Sequence, residues 1–438
     1  MSLGIFDTHH PPSRELADDC VHCGFCLPSC PTYVLWGREA DSPRGRIYLM
    51  KAGLDGRAAL DADYQRHFDT CLGCMACVTA CPSGVQYDRL IEATRPQLER
   101  HGTRSIADRA FRALIFSLFP HPSRLRALAW PLRLYQRSGL QRLMRSTGAM
   151  ALLPSRLAAM EALMPEIADS HAIPEHVAAA GTPRRRVGLL LGCVQRVFFS
   201  HVNAATVRVL SAEGCEVVAP HGQQCCGALA MHSGREDEAV VAARHLIDAF
   251  ESANVDQIVI NAAGCGSAMK EYGVLLRDDP QYSDRAKAFA AKCVDVSELL
   301  ADMEPRSTRH PMPVTVAYHD ACHLQHAQRV KSAPRRVLQS IPGIVVREVA
   351  ESDICCGSAG IYNMLEPEAA ADLRDRKTQN ILATGADVVV SGNPGCMMQI
   401  ASGMSLARRA MPSRHLIEIL DASIRNRPEE FRPGRTAS

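Results

Sequence analysis

One cysteine motif is written twice near the start of the chain: "CVHCGFCLPSCP" from Cys20 to Pro31 and "CLGCMACVTACP" from Cys71 to Pro82. The copies place thiols at Cys20, Cys23, Cys26 and Cys30, and at Cys71, Cys74, Cys77 and Cys81, with proline directly after the fourth. Eight thiols this dense leave few folds open, because whatever binds them dictates the backbone around it. Zinc typically takes four ligands from two separated C-x2-C pairs, so three consecutive cysteines at this spacing would leave surplus thiolates. Disulfides belong to oxidising compartments. The opening "MSLGIFDTHHPPSRELADDC" lacks the basic start and apolar stretch of a secretory leader. Cysteines merely packed in a core would have no reason to recur with a proline. Iron–sulfur ligation is the reading that uses every thiol.

The spacing C-x2-C-x2-C-x3-C-P is that of bacterial two-cluster ferredoxins. Three thiolates on one tight loop reach three irons of a cubane, while the fourth faces elsewhere and completes the other cluster. One [4Fe-4S] cluster is therefore assigned to Cys20, Cys23, Cys26 and Cys81, and the other to Cys71, Cys74, Cys77 and Cys30. Crossed ligation makes the two clusters near neighbours. Between the motifs, "SPRGRIYLMKAG" predicts a helix with Ser42 as N-cap, Pro43 in the first turn and Gly53 as the stop. Arg44 and Arg46 on that helix are candidates for tuning an anionic cluster; the plainer reading leaves them as solvated helix residues.

The middle of the chain is basic. From Arg104 to Met160 there are ten arginines, no lysine and one acidic residue, Asp108. "SIADRAFRALIFSLF" and "RLRALAWPLRLYQRSGLQRLMRS" place apolar residues at helical intervals among the arginines, an amphipathic pattern. Such helices suit an anionic membrane surface or an acidic partner. The competing reading is a connector whose apolar face packs on its own domain.

After Arg184–Arg186 the pattern changes to short β-branched runs between helical stretches: "VGLLL", "EVVA", "QIVI", then "VTVAY", "IVVREV", "DVVV". This alternation predicts parallel α/β sheets. Cys193, Cys225–Cys226 and Cys265 follow the first three runs, and Cys322, Cys355–Cys356 and Cys396 the last three. The intervals, 31 then 38 residues against 32 then 39, mark an internal duplication offset by about 130 residues. Sites in parallel sheets form at the carboxyl ends of strands, so each set should converge there and offers a further cluster or thiol site. Packing as small apolar residues is the alternative. Cys215 and Cys293 fall outside the repeat and read as structural. His319, His323 and His326 surround Cys322; ligation competes there with ordinary backbone bonding.

With 47% hydrophobic and 22% charged residues the chain has the composition of a globular protein, and its net charge of +2 gives no pull toward nucleic acid. It contains no run of about 18 apolar residues to span a membrane. No G-x-G-x-x-G follows a strand and no P-loop is present, so no flavin or nicotinamide site is expected on this polypeptide.

These motifs together resemble the CCG-domain iron–sulfur proteins, and most closely the family of glycolate oxidase (glycolate dehydrogenase) iron–sulfur subunits. The residues carrying the resemblance are "CVHCGFCLPSCPTY", "DSPRGRIYLMK", "CLGCMACVTACPSGV", "GCGSAMKEYG", "LQHAQ" and "CCGSAGIYN". It spans nearly the whole chain and is weakest from about 100 to 186 and after 425. It implies an α+α/β multidomain protein: an N-terminal α-helical di-cluster ferredoxin domain (1–100), a basic helical connector (101–186), and two duplicated α/β CCG domains with parallel sheets (187–310, and 311–438 with a C-terminal tail).

The resemblance also implies an electron-transfer subunit. Partner flavoprotein subunits, which carry the FAD, oxidise glycolate to glyoxylate, and electrons leave through two [4Fe-4S] clusters toward a quinone or another acceptor. D-lactate and glycerol-3-phosphate dehydrogenases use similar subunits, and a heterodisulfide-reductase-like thiol–disulfide reductase is the alternative of another class. In that last relative the motif ends in C-x-x-C, whereas Ala268 and Gln399 stand at the final position here, so each set lacks a fifth thiolate. The expected location is cytoplasmic, with peripheral contact at the inner face of the plasma membrane.

Overall fold

The computed structural model describes residues 4–167, 170–409 and 411–431; the tail from 432 lies outside the described residues. Residues 4–104 form short helices joined by cysteine-bearing loops and contain no strand beyond one isolated bridge at Phe6. Ser42 caps the helix Pro43–Leu54 by accepting from Gly45 N at 3.0 Å, as the sequence predicts. Gly53 is not the stop. The helix runs one residue past it, and a Cβ there would meet Phe6 at 2.9 Å and the Tyr64 hydroxyl at 2.8 Å. Close approach, not termination, explains that glycine.

The connector is helical over Ile106–Leu118, Pro122–Arg137, Leu140–Ser146 and Ser155–Ala162. Ile115 and Phe116 are buried in the core of the first α/β half, while Leu125 is buried without joining it. Part of the arginine excess is neutralised within the chain. Arg112 and Arg156 reach Asp108 at 3.0 Å each, and Arg104 reaches Asp69 at 2.8 Å.

Among the described residues nine strands follow: β1 (His176–Val177), β2 (Arg185–Leu189), β3 (Cys215–Val218), β4 (Gln257–Ile260), β5 (Cys293–Asp295), β6 (Thr315–Tyr318), β7 (Val345–Glu348), β8 (Val388–Ser391) and β9 (Ser413–His415). They form two sheets, ordered β1-β3-β2-β4-β5 and β7-β6-β8-β9. Every pairing is parallel except β1 with β3. The order β3-β2-β4-β5 in one half repeats as β7-β6-β8-β9 in the other. β5 and β9 each lead into a helix through a capping box, Asp295 with Glu298 and His415 with Glu418.

The largest apolar core draws on both halves, joining Val187, Leu189 and Val259 to Val316, Val388 and Leu420. The helix Ser200–Ala212 packs on Leu416–Ile424, and Val296–Asp302 packs on Ser332–Gln339. In each half the helix after the first cysteine thus meets the capped helix of the other, a pseudo-twofold exchange. Arg208 fastens it at Asp421, 2.7 Å away. No helix among the described residues is long and apolar enough to cross a membrane.

Candidate functional site

All eighteen cysteines are free thiols. In the helical domain, burial sorts them by the crossed assignment and not by motif. Cys20, Cys26 and Cys81 are half-buried and Cys23 is exposed, whereas Cys71, Cys74, Cys77 and Cys30 are all buried. Cys30 lies close enough to add to the charge felt at Cys74 and Cys77, whose thiols burial pushes well up. Such groups become thiolates only when a metal compensates the lost solvation. The donor set therefore fits two clusters, one near the surface and one interior.

Arg46 stands against the interior set. It is buried, donates to Thr32 Oγ1 and Thr70 Oγ1 at 3.2 Å each, and lies 3.8 Å from Asp41. Burial pushes the Cys71 thiol up, but the Arg46 and Arg95 charges outweigh it and the net shift is downward. Gly73 N also donates to Cys71 Sγ at 3.4 Å. Arg44 differs: it pairs with Glu39 at 2.6 Å, donates to the His22 carbonyl at 2.9 Å, and so braces the first loop. That loop presents Val21 (69% exposed) and Phe25 (68%) to solvent.

The interior set faces the second α/β half. Leu72, Cys74 and Ala76 share an apolar cluster with Ile354, Cys355 and Tyr362. A π-helical turn over His323–Ala327, a form frequent at functional sites, supplies two clamps. His323 meets Gly73 O at 2.9 Å and Ser267 Oγ at 2.8 Å; His326 meets Thr79 Oγ1 at 2.7 Å and Asp353 O at 3.2 Å. Burial lowers both imidazole pKa values, that of His323 to about 4. With both ring nitrogens engaged, these two histidines join the domains and bind backbone and hydroxyls, as the plainer reading held.

The two repeated sets each converge at strand ends. Cys225 Sγ is 3.5 Å from Cys193 Sγ, and Cys322 Sγ is 3.9 Å from Cys355 Sγ. Adjacent Cys226 also senses Cys265, and Cys356 senses Cys396. Cys396 is lowered to about 5 by Cys356 and, after the opposing effect of burial, by His319. Asn393 ties the two sets together: its Nδ2 donates to Cys396 Sγ and its Oδ1 accepts from Gly264 N, each at 3.4 Å. Cys193, Cys225, Cys226, Cys265, Cys322 and Cys396 line a single cavity of about 630 Å³. Apolar connector residues, including Leu118, Phe119, Leu125 and Met160, line the same cavity. Cys215 and Cys293 lie on β3 and β5, outside this cavity's lining, against Met303 and the Phe289 carbonyl.

Sequence reasoning singled out His319 only as one of three and missed what separates it. It is buried at the end of β6, with its imidazole within 4.8 Å of the Cys356 and Cys396 thiols. The available signal was a histidine directly after a strand where the other copy carries Leu190.

Known families match the chain in parts. A 4Fe-4S dicluster domain covers residues 16–85, the linker region of the glycolate oxidase iron–sulfur subunit covers 107–164, and a cysteine-rich domain matches twice, at 187–270 and 316–401. A probable glycolate oxidase iron–sulfur subunit of Bacillus subtilis is 41% identical over 88% of this chain and 88% of its own. The glycolate oxidase iron–sulfur subunit of Escherichia coli is 34% identical over 92% of this chain and 93% of its own. A lactate utilization protein A of an Exiguobacterium species is 30% identical over 55% of this chain and 98% of its own. By its motifs, its duplicated sheets and these relatives, the chain belongs to the family of glycolate oxidase iron–sulfur subunits.

Proposed function

We propose that this chain relays electrons in a glycolate-oxidising complex, taking them from partner flavoprotein subunits that convert glycolate to glyoxylate and passing them toward a quinone. The observation that carries the reading is the ordering of thiols by depth. Cys20, Cys23, Cys26 and Cys81 would hold an outer [4Fe-4S] cluster, and Cys71, Cys74, Cys77 and Cys30 an inner one. Bound clusters would supply one-electron redox chemistry, which passes on singly the electrons of a two-electron oxidation.

The protein's own groups set the direction. Val21 and Phe25 offer the exposed apolar anchors that a partner subunit would cover beside Cys23. Arg46 holds positive charge beside the inner thiolates. Cys71 and Leu72, which line the cysteine-lined cavity, bring the inner set to it. The apolar connector wall of that cavity suits the flat ring and tail of a quinone. The exposed apolar side chains of the connector suit peripheral contact with the inner face of the membrane. The helical domain would end near residue 100 and the second α/β half begin near 311, while β1 and β2 draw the start of the first α/β half back from 187 to about residue 176.

The test is co-expression with candidate flavoprotein subunits and anaerobic addition of glycolate. The expected result is co-purification and glycolate-dependent reduction of both clusters by electron paramagnetic resonance. Reduction by D-lactate or glycerol 3-phosphate alone would move the chain to one of those complexes. Turnover of a disulfide by the isolated chain with reduced viologen would favour a thiol–disulfide reductase.

A further inference from the structure

We propose that His9, His10 and Glu236 form a site for a zinc ion, or a divalent cation of the same borderline class, that ties the segment ahead of the first helix to the first α/β half. The three residues offer ligating atoms within 4.8 Å of one another. Glu236 Oε1 is 2.7 Å from His10 Nδ1, and Glu236 Oε2 is 3.5 Å from His9 Nε2. Bonds of about 2.0–2.1 Å to zinc space tetrahedral ligands by roughly 3.3–3.4 Å, so the two separations bracket what one ion needs. Two imidazoles and a glutamate are a donor set that zinc takes with water in the fourth position. The His9 side chain, 60% exposed, leaves that position open to water.

His10 shows the need for a cation. Its Nε2 faces Asp278 Oδ2 at 2.6 Å, and a carboxylate there takes the ring proton. Nδ1 then presents a lone pair to the Glu236 carboxylate, and two acceptors 2.7 Å apart repel unless something positive lies between them. A metal ion meets that need. The contact behind it is the usual one for a metal-bound histidine, whose second nitrogen donates to a carboxylate. A second ring proton is the rival occupant. It serves His10 alone, whereas His9 stacks on His10 with ring centroids 4.1 Å apart and brings another imidazole to the same carboxylate. Protonating both rings would set like charges face to face, while one shared ion satisfies both.

The surrounding frame holds these groups in place. Glu236 opens the helix Glu236–Glu251, whose first turn adds the negative charge of Asp237 and Glu238. Asp7 fastens the segment to the helix Tyr87–His101, accepting from Gln97 Nε2 and Arg100 Nε at 2.9 Å each. Arg100 also reaches Glu236 Oε2 at 3.4 Å, but Asp7 already pairs with its Nε and Nη2, which leaves the Oε1 edge of Glu236 to the ion. Pro11 and Pro12 follow at once and stiffen the exit from the site. None of these residues lines the cysteine cavity. An ion here clips the helical domain to the first α/β half without touching the electron route.

The test uses the full chain with its N-terminal clusters in place and titrates zinc anaerobically into wild type, His9→Gln/His10→Gln, His9→Lys/His10→Lys and Glu236→Ala. The resonance signals of those clusters report that each variant is folded. The wild type should bind one zinc ion that every variant lacks or yields to a chelator at least about tenfold more readily. The X-ray absorption of that extra zinc should show imidazole nitrogen and oxygen without sulfur. Zinc should also raise the unfolding temperature of the wild type more than that of any variant. The lysine pair keeps positive charge beside Glu236 but offers no imidazole, so it separates ligation from ion pairing. Zinc uptake equal in number and affinity across wild type and variants, or retention by the lysine pair as tight as by the wild type, overturns the proposal.

Discussion

Arg46 and His415 show how single buried groups set measurable properties. A guanidinium beside Cys30 and Cys71 favours the reduced, more negative form of a cluster held there. Arg46→Gln should lower the midpoint potential of the inner cluster by on the order of tens of mV and leave the outer one unchanged, read by redox titration with resonance detection. Equal shifts in both clusters would separate Arg46 from the inner site. His415 is buried with Nδ1 accepting from Ile417 N at 3.1 Å and Nε2 facing Asn261 O at 2.9 Å. Burial lowers its pKa to about 4, below the unfolded value near 6.5. The unfolded chain therefore binds the proton first as pH falls, and stability present above pH 6.5 is lost on acidification. Between pH 6.5 and 5 the loss from this group is roughly 1.5 kcal/mol. Urea unfolding should show it, and His415→Asn should flatten that part of the pH profile. An unchanged profile would mean that His415 titrates normally.

Among the elements, the connector departs most from a purely packed linker. Ile115, Phe116 and Leu125 are buried, yet Trp130 (72% exposed), Leu134, Leu140 and Leu143 face solvent on arginine-rich helices, and Leu152 (86%) does so in the short turn Ala149–Leu152. Each apolar group inserted into a lipid interface contributes about 1.5–3 kcal/mol. Vesicles of anionic lipid should retain the purified protein at low salt, and Trp130→Glu with Leu134→Glu should weaken retention at least about tenfold. Retention indifferent to both substitutions and to salt would leave those side chains for a protein partner. Most of the strand runs, and the cysteines behind them, were legible because parallel strands buried on both faces read as apolar runs; β7, exposed at its sheet edge, was legible from its β-branched residues. β5 and β9 were not: at three residues, with Cys293, Asp295, Arg414 and His415 among them, they carry no such run. The dicluster domain was legible from the eight-thiol motif, since its spacing is local. The clamp by His323 and His326 was not, because its partners Gly73 and Thr79 lie about 250 residues away in sequence.

At the scale of the molecule, the two α/β halves share one core and the helical domain docks on it through Cys74, His323 and His326. Leu420 belongs to that shared core and is fully buried. Leu420→Ala should cost about 2–5 kcal/mol and lower the unfolding transition of both halves together. Two separate transitions, only one of them shifted, would show that the halves fold independently. The arrangement gives a route from an exposed loop, through an interior thiol set, to a cavity walled by connector helices, and it depends on crossed ligation of the two clusters. The most direct test is the resonance spectrum of anaerobically purified Cys30→Ser beside that of Cys81→Ser. Crossed ligation requires Cys30→Ser to damage the inner cluster of Cys71, Cys74 and Cys77 and Cys81→Ser to damage the outer cluster of Cys20, Cys23 and Cys26. Each substitution damaging the cluster of its own motif would contradict it.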